Sequence, residues 1–296
     1  MSGNCGRYAP SPSGVLHLGN LRTALLAWCF ARSRSAPFLI RIEDLDPQRS
    51  RREHERSALA DLERIGVDWD GPPIRQSERA ARHREAFELL RADGRIYPCW
   101  CTRAEIREAT RAPHGALAPY PGTCRARTSP GSGPPHAWRF DAGGEPVSVS
   151  DLLAGPLTAV VDDFVVWRGD GVPAYNLAVV VDDGDQGVGE VVRGDDLLET
   201  TPRQVLLART LGLPIPRYAH VPLVLGPDGR RLAKRDGAVT LGERLALGER
   251  VEDVVGWMAA SVGLAPSGAA MSAADVLETF SPARISREPT TWERPG

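Results

Sequence analysis

At 296 residues the chain is about twice the ~150-residue domain prior, so one large α/β domain with an insertion, or two domains, is expected. With 42% hydrophobic and 25% charged residues it can bury a core, which excludes the disordered class. Lys+Arg 36 against Asp+Glu 38 leaves a net charge of -2, so a nucleic-acid partner is neither demanded nor forbidden and would need a local patch. The nearly uncharged stretch Thr23 to Ala31 is far short of the ~20 apolar residues that span a bilayer. Met1–Pro10 lacks a secretory pattern, and a cytoplasmic protein is expected.

Arg7–Pro12 leads into Leu18, Leu21, Leu25 and Trp28, whose spacing predicts an amphipathic helix near 18–33 after a β-to-α turn. Phe38–Ile42 reads as a buried parallel strand, with Arg41, Glu43, Asp44 and Asp46 at its carboxyl end, the edge where α/β proteins bind ligands. Helices are expected at 50–65, ending at Gly66, and at 79–93, ending at Gly94. Residues 96–145, rich in Cys, Pro and Gly, break the rhythm and read as an inserted subdomain. Ala159–Trp167, Tyr175–Val181 and Glu190–Val192 are strand candidates. A helix opened by Thr201, Pro202 and Gln204, with an N-cap, an N1 proline and a capping box, follows and closes at Gly212. His220–Leu225 reads as a strand and Gly226–Gly229 as a turn. Residues beyond about 245 look helical before thinning into a loose tail.

His17-Leu18-Gly19-Asn20 sits where the first turn meets the first helix. Free N–H groups and the positive end of the helix dipole favour phosphate there, Gly19 permits close backbone approach, and His17 can hydrogen-bond an anion. It is flanked by Arg7-Tyr8-Ala9-Pro10-Ser11-Pro12-Ser13-Gly14, by Arg41-Ile42-Glu43-Asp44 on the next strand, and far downstream by Leu225-Gly226-Pro227-Asp228-Gly229-Arg230-Arg231-Leu232-Ala233-Lys234-Arg235. Lys234 is the single lysine among 36 basic residues, which suggests a compact ammonium at a site where a guanidinium fork will not serve, a surviving surface lysine being the alternative.

From about Arg7 to Leu241 these motifs, in this order, resemble the class I glutamyl-tRNA synthetase family. The resemblance implies a Rossmann-type parallel sheet with a zinc-containing insertion and a short C-terminal helical region. On this reading 1–95 and 146–240 are the halves of the catalytic domain, 96–145 the zinc-binding, acceptor-type insertion, and 241–296 a short helical region with a flexible tail and no anticodon-binding domain. His17, Gly19, Asn20 and Lys234 would bind ATP with Mg2+, His17 and Lys234 being catalytic. Asn20 stands where the family's motif has a second histidine, and Ala233 and Arg235 replace both serines of its lysine loop, which puts the rate of adenylation in question. Adenylate formation moves the ATP α-phosphate onto a carboxylate, so charge develops on phosphate oxygens that placed donors can stabilise.

A glutamate substrate has two carboxylates and one ammonium, so its pocket needs cations or strong donors and one acceptor. The resemblance assigns Arg7, Ser11, Glu43, Tyr175 and Arg193 to it: Glu43 for the ammonium, Arg7 and Arg193 for carboxylates, Tyr175 and Ser11 for added hydroxyls. Glu43 and Arg41, two apart, share a strand face and could pair with each other instead. Asp195 and Asp196 could hold this loop or face the nucleotide.

Five cysteines without a secretory signal, three of them Cys99, Cys101 and Cys124, favour a metal over disulfides, with free thiols in a reducing cytosol as the alternative. Generic zinc chemistry would complete the set with His114 or His136; the resemblance implies Tyr120, from the Tyr120-Pro121-Gly122-Thr123-Cys124 match, and a structural zinc. The segment after Arg235 is too short for the helical anticodon-binding region of a full synthetase. This points to the truncated members of the family, which activate glutamate without tRNA and attach it to the queuosine base in the anticodon of tRNA(Asp). Docking would use local arginines such as Arg49, Arg51 and Arg52, and a monomer is the default expectation. An ordinary catalytic core charging a tRNA 3′ end, a non-catalytic tRNA-binding relative and a small-molecule nucleotidyltransferase are the competing readings.

Overall fold

Short parallel strands, most of them buried on both faces, form the centre of the fold. The computed structural model describes residues 3–102, 104–106, 120–127, 131, 133–232, 236–237 and 239–292. β1 (Gly6–Tyr8), β2 (Phe38–Ile42) and β3 (Ile74–Arg75) run parallel in the order β1-β2-β3. β9 (Glu190–Gly194) and β10 (Arg217–Val221) pair in parallel, and the bridge Cys5↔Val188 sets β9 beside β1. The chain leaves β1 and β9 in opposite directions across the sheet, so the crevice at their carboxyl ends is a topological switch point.

α1 (Leu18–Arg32) follows β1. The expected helix is present, but its burial is not one-sided: Ala24, Leu26, Ala27, Cys29 and Phe30 are as buried as Leu18, Leu21 and Leu25. The reason is a second layer. α1 packs on β1 and β9 with one side and on α7 (Val251–Ala260) and α8 (Ala273–Glu278) with the other, and a helix buried on both sides carries no polar stripe. α2 (Arg52–Arg64) and α3 (Ala80–Ala92) stand where the sequence puts them, although Leu89 points to solvent.

The excursion after α3 is built on β4 (Ile96–Cys99), β5 (Ala137–Phe140) and β8 (Phe164–Arg168), an antiparallel sheet in the order β4-β5-β8. Its structure therefore runs past the expected boundary at 145. Between β5 and β8 lies the hairpin of β6 (Pro146–Asp151) and β7 (Gly155–Val160), which leaves that sheet and docks β6 on β10 through Tyr218↔Asp151. The single strand expected over 159–167 is thus two. They are separated at Val161-Asp162-Asp163, where Asp162 accepts from Arg203 and Tyr120 N–H and Asp163 from Ala142 N–H.

Tyr175–Val181 is not a strand. It opens α4 (Tyr175–Asp185), in which Leu177, Ala178, Val179, Val180 and Val181 are all buried. A short continuous apolar run fits a buried helix as well as a buried strand, and here packing against α3 and α5 (Thr201–Thr210) decides. The N-cap of α5 lies one residue earlier than expected: Thr200 rather than Thr201 is the N-cap, Pro202 lies in the first turn, and no side-chain cap bond forms. The strand expected over 220–225 ends at Val221 and resumes as β11 (Val224–Leu225), because Pro222 has no N–H for the ladder. α6 (Leu241–Ala246) opens the C-terminal region. The tail expected to be loose is packed as far as Trp292: β12 (Thr290–Thr291) runs parallel to β11, and Trp292 is 2% exposed against Trp257. Among the described residues no helix is long and apolar enough to cross a membrane.

Candidate active site

A cleft of about 570 Å³ opens at the carboxyl ends of β1 and β9. Every residue assigned to the amino acid by resemblance, Arg7, Ser11, Glu43, Tyr175 and Arg193, lines it, as do His17, Gly19 and Asn20 of the phosphate motif. Strand ends deliver Arg7, Glu43 and Arg193, while the starts of α1 and α4 deliver His17 and the half-exposed Tyr175. Lys234, with Ala233 and Arg235, lies outside the described residues, but the strand leading to it is present, and Val224 and Arg231 are part of the cleft wall.

His17 caps α1. Its Nδ1 accepts from Asn20 N–H at 3.2 Å, and Asn20 Oδ1 accepts from His17 N–H at 3.4 Å, a reciprocal box that gives Asn20 a fold role of its own. Burial and the nearby Arg231 hold the imidazole down at about 4, so it is neutral at physiological pH. With Nδ1 accepting, the hydrogen-bond network assigns the ring proton to Nε2, making His17 a neutral donor. Gly19 sits in a tight spot: a Cβ would stand 3.1 Å from the His17 ring and 3.3 Å from Val224, so a larger residue would press on the capping imidazole.

Beneath the cleft floor lies a buried ionic cluster. Arg41, 0% exposed, donates to Asp183 at 2.6 Å, to Gln186 at 3.0 Å and to Glu43 at 3.4 Å, and Arg7 reaches Asp183 at 3.4 Å and Val192 C=O at 3.2 Å. Glu43 and Arg41 therefore do pair, while Glu43 still lines the cleft. Burial pushes the Glu43 carboxyl up, and Arg41 and Arg7 pull it partly back. Asp183 and its neighbour Asp182, which takes Gln76, Arg79 and His83, were not singled out from sequence. Read as part of a helix end, Asp182-Asp183 facing buried arginines would have been the signal. Of the two open acids after β9, Asp196 pairs with Arg231 at 3.0 Å, tying that loop to the strand before Lys234.

Arg193 is 5% exposed and held on three sides, by His220, Gln204 and Thr201, with Asp151 behind His220. None of these supports was evident from the sequence, because they come from β10, α5 and the inserted hairpin.

A second centre sits on the antiparallel sheet. The sulfurs of Cys99, Cys101 and Cys124 lie within 4.8 Å of one another and could hold a metal ion. Tyr120 Oη is 3.4 Å from Cys99 Sγ and 3.5 Å from Cys101 Sγ, and it accepts from Cys124 N–H at 2.9 Å. Burial pushes Cys101 up to about 11; Cys124 falls to about 7 because hydrogen bonds from Trp100 N–H, Tyr120 and the other thiols outweigh its burial. His136 is exposed and outside the cluster, and His114 lies outside the described residues.

Residues 5–251 match the family model for class I tRNA synthetases (E and Q), catalytic domain. The glutamyl-Q tRNA(Asp) synthetase of Nocardia farcinica is 54% identical over 97% of this chain and 92% of its own length. That of Symbiobacterium thermophilum is 48% identical over 96% and 94%. Among solved structures, a glutamate tRNA ligase from Elizabethkingia meningosepticum, crystallised in complex with its amino acid, superposes with a TM-score of 0.82 at 27% identity, covering 99% of this chain and 67% of that one.

Proposed function

The chain belongs to the class I tRNA synthetases of the glutamate and glutamine type, in the group of the glutamyl-Q tRNA(Asp) synthetases, and from that membership we propose that it activates L-glutamate with ATP, without tRNA, and transfers it to the queuosine base in the anticodon of tRNA(Asp). The observation that carries the reading is the convergence in one cleft of a helix N-terminus bearing a neutral His17 donor with Arg7, Glu43 and Arg193. Glutamate docks its ammonium on Glu43 and its carboxylates toward Arg7 and Arg193. The α-carboxylate attacks the ATP α-phosphorus, pyrophosphate leaves, and His17 Nε2–H, the free N–H groups of α1 and the Lys234 ammonium take up charge on the phosphate oxygens. Mg2+, bound with the nucleotide, supplies further neutralisation. The reaction proceeds in the cytoplasm.

For the tRNA, Arg51 N–H donates to Pro12 C=O at 3.0 Å, so the exposed Arg49 and Arg51 stand near the cleft-side loop, where phosphates can be held. The test is incubation with labelled glutamate, ATP, and tRNA(Asp) with and without queuosine. Label is expected on the modified tRNA alone. An ester on the 3′-terminal adenosine, formed equally on both tRNAs, would instead make the chain an ordinary charging core.

The insertion is proposed to hold a structural zinc on Cys99, Cys101, Cys124 and Tyr120. A tetrahedral ion with Zn–S near 2.3 Å and Zn–O near 2.0–2.2 Å needs S···S of about 3.8 Å and S···O of about 3.5 Å. The Cys101–Cys124 separation of 3.6 Å and the Tyr120 separations of 3.4 and 3.5 Å support that donor set. About one zinc per chain is expected in freshly purified protein, lost in Cys101→Ser and Cys124→Ser and weakened in Tyr120→Phe. Metal analysis that finds none in the parent protein refutes the site, and full retention in Tyr120→Phe removes the tyrosine from it.

A further inference from the structure

Arg193 differs from the other buried arginines of the cleft in what surrounds it. Arg7 and Arg41 both reach a carboxylate, Asp183, at 3.4 and 2.6 Å. Arg193 donates from Nε to His220 Nε2 at 3.0 Å, from Nη1 to Gln204 Oε1 at 2.8 Å and from Nη2 to Thr201 Oγ1 at 2.8 Å and Leu197 C=O at 3.5 Å. Among the described residues no carboxylate touches it, and every partner is a neutral acceptor.

The acid in this network stands one group removed. Asp151 Oδ2 lies 2.6 Å from His220 Nδ1, while its Oδ1 accepts from the N–H groups of Leu153, Ala154 and His220. Because His220 Nε2 accepts from Arg193, its ring proton is assigned to Nδ1, directed at Asp151. The sheet register builds this arrangement: His220 stands opposite Arg193 in the β9–β10 ladder, and Asp151 pairs beside it through Tyr218.

A carboxylate in direct contact would cancel much of the guanidinium's field inside a poorly solvated site, whereas neutral acceptors fix its geometry and leave the field in place. A buried guanidinium so arranged is costly unless an anion completes it, and this one lines the cleft. We propose that Gln204, Thr201 and His220 are positioning residues that form an uncharged cradle, orienting Arg193 while leaving its charge to select an amino acid with an anionic side chain over its neutral amide. The inference rests on the glutamate reading of the cleft and adds the means of discrimination. Asp151 compensates the buried charge through His220 without competing with the substrate.

Three conservative variants test it in ATP–pyrophosphate exchange with glutamate and with glutamine, alongside thermal melting. Gln204→Glu keeps shape and puts a carboxylate directly on Arg193. Its glutamate KM should rise about tenfold or more with the ATP KM and kcat little changed, and the preference over glutamine should narrow. Its melting temperature should not fall, because the direct ion pair with Arg193 offsets the lost Gln204 Nε2–H bond to Asn176 Oδ1. Asp151→Asn removes the remote charge; its melting temperature should fall while its glutamate KM does not rise. A merely structural network would move stability and KM together in both variants. An unchanged glutamate KM in Gln204→Glu, or an equal rise in Asp151→Asn, overturns the cradle. Arg193→Lys separates the two levels: an unaltered glutamate KM there means that the cleft does not bind glutamate through Arg193. A raised KM in that variant with no effect of Gln204→Glu sinks the cradle alone.

Discussion

Glu43→Gln is expected to raise the glutamate KM by roughly 30- to 1,000-fold, corresponding to the ~2–4 kcal/mol lost when one partner of a buried, hydrogen-bonded charge pair is removed. The glutamine is nearly isosteric, and its carbonyl can still accept from Arg41, which now lies 3.4 Å from the carboxylate. The fold should therefore survive. What disappears is the only negative charge assigned to the substrate ammonium, at a position poorly solvated enough that burial pushes the Glu43 carboxyl up. The ATP KM should stay close to the parent value, because the nucleotide is proposed to sit at His17 and the start of α1 rather than at the end of β2. Steady-state exchange with each substrate varied in turn decides the matter. A matched rise in both KM values would mean that Glu43 supports the cleft as a whole through Arg41 and Asp183, with no contact to glutamate of its own.

The parts of this site that could be read in the sequence share one property: each depends on neighbours close in the chain. His17-Leu18-Gly19-Asn20 at a helix start, the acidic end of the Phe38–Ile42 strand and the Cys-x-Cys pair declare themselves within a few residues, because strand–turn–helix geometry and ligand spacing are local. The role of Glu43, by contrast, comes from the family resemblance, since local spacing alone offers only its pairing with Arg41. What stayed hidden is non-local. Asp183 was obscured by the run Ala178–Val181, whose β-branched residues suit a strand, yet the segment is buried from more than one side and folds as α4. The support of Arg193 joins residues 69 and 27 positions apart, from Asp151 through His220. Only the register of β6, β9 and β10 brings them together, and periodicity carries no information about register between distant strands. The residues alone leave tyrosine and histidine open beside the thiols, and the resemblance implies Tyr120, whose Oη does lie against two of the sulfurs. The tail looked loose because its polar residues outnumber its anchors, yet Trp292 alone finds an aromatic partner in Trp257 and a strand partner in β11.

Lys234→Ala is expected to slow glutamate-dependent ATP–pyrophosphate exchange by about 10²–10³-fold in kcat, the usual cost of deleting one donor aimed at charge that develops in the transition state. Substrate KM values should move much less, since such an interaction is made chiefly as pyrophosphate departs. Arg231, three residues earlier and lining the cleft, is the natural control: its guanidinium is committed to Asp196 at 3.0 Å and is more than half exposed, so Arg231→Ala should cost far less. The composition offers an independent check. With one lysine in the chain, an amine-selective acylating reagent has one side chain to modify, apart from the terminal amine, and peptide mapping distinguishes the two. Acylation at Lys234 should abolish exchange, and ATP with Mg2+ should protect both the residue and the activity. Arg235 beside it is no substitute, because a planar fork cannot take the place of a compact ammonium against a changing phosphate geometry. Full exchange in Lys234→Ala, or acylation that proceeds at the same rate with and without ATP, would take the lysine out of the reaction. Phosphate chemistry would then be left to His17 and the N–H groups of α1.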